Sequence, residues 1–274
     1  AGGRAIAVED GINGKMISIY DKGSHMPLLW THLIPTTLEG QAIHNVQNAM
    51  FAAAMAYSMN VSLDNIRQGL RTFDTSFFQT PGRMNIYDKL GFKVILDYGH
   101  NPAAIGAMCT LVQGLAETGG MAQGGQRICV LSVPGDRRDE DVYEIARLTA
   151  GQFDRYILRQ DDRRRRREDG EIPRMLKAGL MENGVLESAI IVEPEEIAAV
   201  EKALTIANPG DLVLIFADNI KRSWKQIIYH GDSHVGVAPV EDPILEVAKE
   251  PTELSSNLGQ DDRGVYVLID EESD

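Results

Sequence analysis

The stretch FKVILDYGHNPAAIGAMCTLVQGLAE, Phe92 to Glu117, contains one complete structural unit. Its first five residues are apolar or strand-forming and follow a glycine, the pattern of a short buried strand. The run then breaks into an acid, an aromatic, a glycine, a histidine and an asparagine. Pro102 follows, near the first turn of a helix, where its missing N–H removes no intrahelical bond. The helix is expected to run on to Glu117. A strand that ends in a dense polar set and feeds straight into a helix is the building block of an α/β sheet.

The same unit repeats along the chain. RICVLSV reads as a strand and DEDVYEIARLTAGQ as a helix with acids in its first turn. FDRYILR, SAIIVE and DLVLIFA read as further strands. They alternate with the helices EIPRMLKAGLMENG, PEEIAAVEKALTIANPG and NIKRSWKQIIYH. Such alternation predicts a Rossmann-like α/β fold with a mostly parallel sheet and helices on both faces. Ligands of these sheets collect at the carboxyl ends of the strands. Before this region, NIYDKLGFKVILD gives a hairpin or two short strands. Earlier still, GRAIAVEDGINGKMISIYDKG reads as a β-hairpin with turn signals at Asp10-Gly11 and Asn13-Gly14. GINGK lacks the spacing of a phosphate loop. HNVQNAMFAAAMAYSMN and SLDNIRQGLRTF read as helices, the second capped by Ser62.

Composition narrows the function. Hydrophobic residues make up 43% and charged residues 24%, so a sizeable core can form. No apolar run approaches the roughly 18 residues of a membrane span. The net charge of −13 is uneven. From residue 231 to residue 274, 12 acids stand against Lys249 and Arg263, a net of −10; the rest, with 28 acids and 25 bases, carries −3. That balance argues against nucleic acid as a partner, since phosphate binding needs a basic face. Two cysteines, Cys109 and Cys129, sit in apolar segments and suggest a reducing, cytoplasmic setting. No cysteine and histidine cluster has zinc spacing, and no metal ligand is assigned. The chain opens AGGRAIAVED, without Met, and is expected to be part of a longer protein. The acidic end, 231–274, reads as an extension with little core, to which GVYVLID could add one strand.

Polar residues gather after four strands: Asp97 to Asn101, Pro134 to Asp139, Gln160 to Arg167, and Asp218-Asn219. Each has a plain structural reading, as a cap, a turn or a solvated ion pair. Together they describe a polar rim where a ligand could sit.

In order, the chain shows HNVQNA, TPGRM, DYGHNP, PGDRRDE and DDRRRRRE. This series resembles the Mur ligase superfamily of ATP-dependent amide-bond ligases, and most of all its cyanophycin synthetase branch, over about His44 to Tyr229. The resemblance implies that residues 1–79 are the end of a central ATP-binding domain and 80–230 the C-terminal domain. It implies two steps: ATP phosphorylates a carboxylate to an acyl phosphate, and an amine then displaces phosphate to form the amide. The implied cofactors are ATP and Mg2+, with the magnesium ligands and phosphate loop in the central domain. By resemblance, Asn45, with Asn48 beside it, would hold the adenine. Arg83 would reach the phosphates and Asp97 the ribose hydroxyls, while His100 and Asn101 would stand near the γ-phosphate. The loop after YILR corresponds to the place where some members read the incoming amino acid, which in the cyanophycin branch is arginine. A guanidinium wants a carboxylate fork. Asp161 and Asp162 are the candidates, with Asp136 and Asp139 behind them and Arg137 in the same loop.

Partners implied are ATP, arginine and an aspartate-rich polymer primer, in a cytoplasmic homo-oligomer. The family usually interrupts the run Arg163 to Arg167 with a glycine, which is absent here. No G-x-x-x-x-G-K-[ST] loop occurs in these 274 residues, so this piece by itself is expected to be inactive. The alternatives are another Mur-type ligase, acting on peptidoglycan peptides or folate, or a non-catalytic assembly module.

Overall fold

The alternation predicted from Phe92 onward forms a six-stranded sheet in the computed structural model. The structure describes residues 2–163, 165–231, 258–261 and 264–267. Chain contacts divide the protein into one unit of residues 1–230 and a second of 231–274.

The first unit begins with three antiparallel strands, β1 (Arg4–Gly11), β2 (Gly14–Asp21) and β3 (Ser24–Trp30), paired in that order. The first turn follows the predicted hairpin, with Gly11 opposite Gly14. Strand β3 is an addition to the sequence reading. It carries Pro27 and pairs across a register irregularity at Ile17/Ser18, so it lacks the clean alternation that marks a strand. Helices α1 (Ile43–Ser58) and α2 (Leu63–Thr72) pack on this sheet around Ile17, Ile19, Val46 and Ile66. Ser62 caps α2 as predicted, accepting from the Asn65 N–H at 3.3 Å.

The main sheet contains β4 (Asn85–Tyr87), β5 (Lys93–Asp97), β6 (Arg127–Leu131), β7 (Arg155–Leu158), β8 (Ile190–Val192) and β9 (Leu212–Phe216). Its order is β4-β5-β9-β6-β7-β8, with only β4 antiparallel. The helices are α3 (Pro102–Glu117), α4 (Asp139–Thr149), α5 (Glu171–Glu182), α6 (Glu196–Ile206) and α7 (Ile220–Ile228). Alternate strand residues face opposite sides. Ile95, Cys129, Tyr156 and Leu214 pack against α3, α4 and α5. Val94, Ile128, Ile157 and Val213 pack against α6 and α7. Every residue of β9 is buried, as expected for a strand covered on both faces.

The placement of β9 positions the site. The last strand in sequence inserts between β5 and β6. From there the chain leaves toward one face through α7, while β5 and β6 lead into α3 and α4 on the other. Divergence of neighbouring connections opens a crevice at the carboxyl ends of the strands.

In the second unit, two short strands, β10 (Leu258–Asp261) and β11 (Gly264–Val267), pair as an antiparallel hairpin, one strand more than predicted. The other expectations for 231–274 lie outside the described residues, as does Arg164 of the arginine run. No helix among the described residues is long and apolar enough to cross a membrane.

Candidate active site

Strand β5 ends on Asp97, which is 8% exposed. Its Oδ2 accepts the Met84 N–H at 2.9 Å and its Oδ1 the Gly99 N–H at 2.6 Å. Burial pushes its pKa up; the two N–H groups and the charges of Arg83 and His44 offset part of that rise. The Tyr98 N–H donates to the Gly82 carbonyl at 2.9 Å. The TPGRM turn is thereby fastened to the end of β5. Inside the turn, Asn85 accepts from the Gly82 N–H at 2.6 Å and donates to the Thr75 and Thr80 carbonyls. Gly82 has φ 73, and a Cβ there would lie 2.8 Å from Ile220 Cγ1, so the turn requires glycine. Arg83 is exposed, and its guanidinium lies 5.7 Å from the centre of the Tyr98 ring.

His100 is half-buried and packs edge-on to Tyr98, with ring centres 4.9 Å apart. Its Nδ1 meets the Tyr98 carbonyl at 2.9 Å. A carbonyl only accepts, so Nδ1 carries the proton and Nε2 is left for a ligand. Asn101 caps α3, its Oδ1 accepting from the Ala104 N–H at 2.9 Å. Asn101, and not Asp97, caps this helix.

At the start of α1, the Asn45 carboxamide donates to the Thr36 carbonyl at 2.7 Å and accepts from Asn48 Nδ2 at 3.0 Å. Sequence reasoning passed over the adjacent His44. It is half-buried; burial lowers its pKa, while the charge of Asp97 acts to raise it. This mutual influence brings the start of α1 and the end of β5 into one neighbourhood, together with Arg83.

Beside this wall lies a shallow, open cavity. Its lining comes from all four strand ends: Tyr98 to His100 after β5, Ser132 and Pro134 after β6, Arg159 and Asp161 after β7, and Phe216 to Asp218 after β9. Beneath it sits Arg159, only 2% exposed. The guanidinium pairs with Asp161 at 3.1 Å and Glu196 at 3.0 Å. It also donates to the carbonyls of Phe216 and Gln160. Asp161 additionally accepts from Ser132 Oγ at 2.8 Å. Glu196 is 1% exposed and accepts from the N–H groups of Asp218 and Asn219, from Ser223 Oγ and from Arg222. Burial alone would push the Glu196 pKa up; Arg159 and these donors more than offset it, and the net shift is downward.

The acids proposed to receive arginine all have guanidinium partners within the chain. Asp161 has Arg159; Asp162 has Arg222 at 2.9 Å; Asp136 has Arg165 at 2.7 Å; and Asp139 has Arg167 at 2.6 Å. Arg167 also donates to the carbonyls of Gly135 and Arg137 and pairs with Glu171, so it clamps two loops together. Arg137 is half-buried, and its Nε has no partner among the described residues. Among those residues, no group of three or more His, Cys, Asp or Glu could hold a metal ion. Arg159 and Glu196 were also passed over by sequence reasoning. One closes the strand run YILR and the other reads as an ordinary first-turn acid.

Comparison with known proteins places this geometry. Residues 82–219 match the family described as Mur ligase, glutamate ligase domain. The chain belongs to the Mur ligase family. It is 34% identical over 230 residues to a cyanophycin synthetase of a Nostoc species, covering 80% of this chain and 24% of that protein. It is 36% identical over 195 residues to the Synechocystis cyanophycin synthetase, covering 71% of this chain and 21% of the relative. The chain thus spans about a quarter of the length of the curated relatives it matches. Among solved structures, a pseudomurein peptide ligase of Methanothermus fervidus shares the fold, with a TM-score of 0.54, 22% identity and coverage of 81% of this chain and 41% of that one. The Thermotoga maritima UDP-N-acetylmuramate–alanine ligase does so with a TM-score of 0.54, 15% identity and coverage of 82% and 45%.

Proposed function

We propose that this chain is the C-terminal part of an ATP-dependent amide ligase of the cyanophycin synthetase type, which joins arginine to the aspartate side chains of a poly-aspartate backbone. A carboxylate oxygen attacks the γ-phosphorus of ATP and ADP leaves, giving an acyl phosphate. The α-amine of arginine then attacks the acyl carbon, loses a proton, and phosphate departs with its bonding pair. Magnesium would travel with ATP, and its protein ligands belong to the preceding domain. Residues 1–79 would close that domain, and 80–230 would form the domain that covers the nucleotide. The cytoplasm and a homo-oligomeric enzyme fit the same reading.

In this scheme Asn45, with Asn48 buttressing it, faces the adenine edge. Asp97 keeps lone pairs for the ribose hydroxyls beyond the two N–H groups it already accepts. Arg83, exposed and steadied over Tyr98, suits phosphate oxygens. His100 orients a phosphate or acyl oxygen through Nε2, with Asn101 fixing the helix start beside it. Asp136, Arg137, Asp139, Asp161 and Asp162 line the amino-acid side. Their pairing with internal arginines suits them to shaping that side as well as to contacting substrate.

The observation that carries the reading is the joining of Arg83, Asp97 and His100 at one strand end, bordering a cavity at the switch point of the sheet. In the enzyme that carries this segment, Arg83→Ala and Asp97→Ala are each expected to weaken ATP binding about tenfold or more, the scale of a charge-assisted hydrogen bond. Equilibrium ATP binding checks this. Native affinity in both variants would exclude the nucleotide assignment.

A further inference from the structure

At the strand ends after β6, β7 and β9, most carboxylates are paired with arginines. Asp136, Asp161, Asp162 and Glu196 each have an arginine partner: Arg165, Arg159, Arg222 and, for Glu196, both Arg159 and Arg222. Asp218 does not. Its backbone N–H is held by Glu196 at 2.7 Å, but no hydrogen bond or ion pair reaches its carboxylate from the described residues. It is half-buried and lines the same cavity as His100 and Tyr98.

We infer that Asp218 is the specificity-determining carboxylate of the amino-acid side: it takes the guanidinium of the incoming arginine. The inference rests on the reading of this chain as part of an arginine-adding ligase, and it names the residue that reading leaves open. Four further facts favour it. The Arg159 guanidinium is used up on Asp161, Glu196 and two carbonyls, so it cannot turn to neutralise Asp218. Arg165, whose charge reaches Asp218, is bonded to Asp136. Burial and the neighbouring Asp161 charge hold the Asp218 pKa above the usual aspartate value, the state of a carboxylate short of a cation. Glu196 fixes the backbone of Asp218 and Asn219, so the carboxylate is presented from a rigid edge. A guanidinium arriving there would supply the missing positive charge and a planar pair of donors.

The test is calorimetric titration of the full enzyme that carries this segment, with a non-hydrolysable ATP analogue and Mg2+ present, using arginine and its neutral isostere citrulline. The unaltered enzyme is expected to favour arginine by about tenfold or more, the scale of one charge-assisted pair. Asp218→Asn is expected to erase that preference, leaving citrulline binding unchanged. Asp218→Ser repeats the measurement if the amide variant misfolds, with circular dichroism reporting the fold. Arginine preference retained in a folded Asp218 variant overturns the inference and leaves the broader reading intact. Failure of the unaltered enzyme to bind arginine overturns both.

Discussion

Replacing Arg159 with Met tests whether the strand ends are held by the buried ion network. Methionine fills much of the same volume without charge or donors. The substitution strips Glu196, 1% exposed, of its 3.0 Å partner and Asp161 of its 3.1 Å partner. The Phe216 carbonyl loses both donors it receives from Arg159. Removing one member of a buried pair strands the other charge, and the cost is about 3–5 kcal/mol. Glu196 keeps Arg222, Ser223 and two N–H groups, which places the expected loss toward the lower end. That is still a large share of a typical domain's roughly 5–15 kcal/mol. Urea unfolding of the single variant, of Glu196→Gln and of the double variant completes a cycle. The double variant should lose less than the sum of the singles, with a coupling of about 1–3 kcal/mol. The pH dependence has a definite sign. The Glu196 pKa is lowered from 4.5, so its contribution is fully present above that value and is lost as pH falls toward the lowered native value. Glu196→Gln should flatten that acid limb. A loss below about 1 kcal/mol in Arg159→Met, or strict additivity in the cycle, would refute the reasoning.

Two further outcomes are expected. Arg165 and Arg166 have φ of 46° and 78°, where a side chain is strained and glycine is not. Arg166→Gly should be neutral to stabilising by up to about 1 kcal/mol, whereas Arg165→Gly also forfeits the Asp136 pair and should gain less; thermal melts of both compare them. Separately, the 274-residue chain alone should show no steady ATP turnover in a phosphate-release assay, because no G-x-x-x-x-G-K-[ST] loop occurs in it; a sustained rate would refute that assignment.

Local physics made much of the fold legible. Helix α3 spans Pro102–Glu117, as read from Pro102 and the apolar run that follows. The strands of the main sheet were found because they are short apolar runs between polar turns. Strand β3 was missed because Pro27 and the irregularity at Ile17/Ser18 hide its pairing. Strand order was also hidden. Nothing local to LVLIF says that it inserts between β5 and β6, yet that insertion brings Asp218 to the cavity. Side-chain pairing was illegible for a similar reason. Asp136 and Arg165 are 29 positions apart, and the run of arginines reads equally well as solvated charge. Glu195 and Glu196 look alike in PEEIAAV, but helix phase exposes the first and buries the second.

The two sides of the rim are built by different physics, and this bears on how each could work. At the Asp97 side, the carboxylate is held mainly by backbone N–H groups, and burial leaves its pKa above the usual value. At the Glu196 side, guanidiniums and N–H groups hold a fully enclosed carboxylate below the usual value. The two carboxylates are thus displaced in opposite directions from their ordinary values, one by burial and the other by its cationic and N–H partners. A site arranged this way keeps the loops after β6, β7 and β9 fixed relative to one another through the ionic platform under the cavity. Under the ligase reading, the rigid side suits selection of a cation by shape and charge. The side held by backbone bonds suits a nucleotide whose own phosphates alter the local field as it binds and reacts.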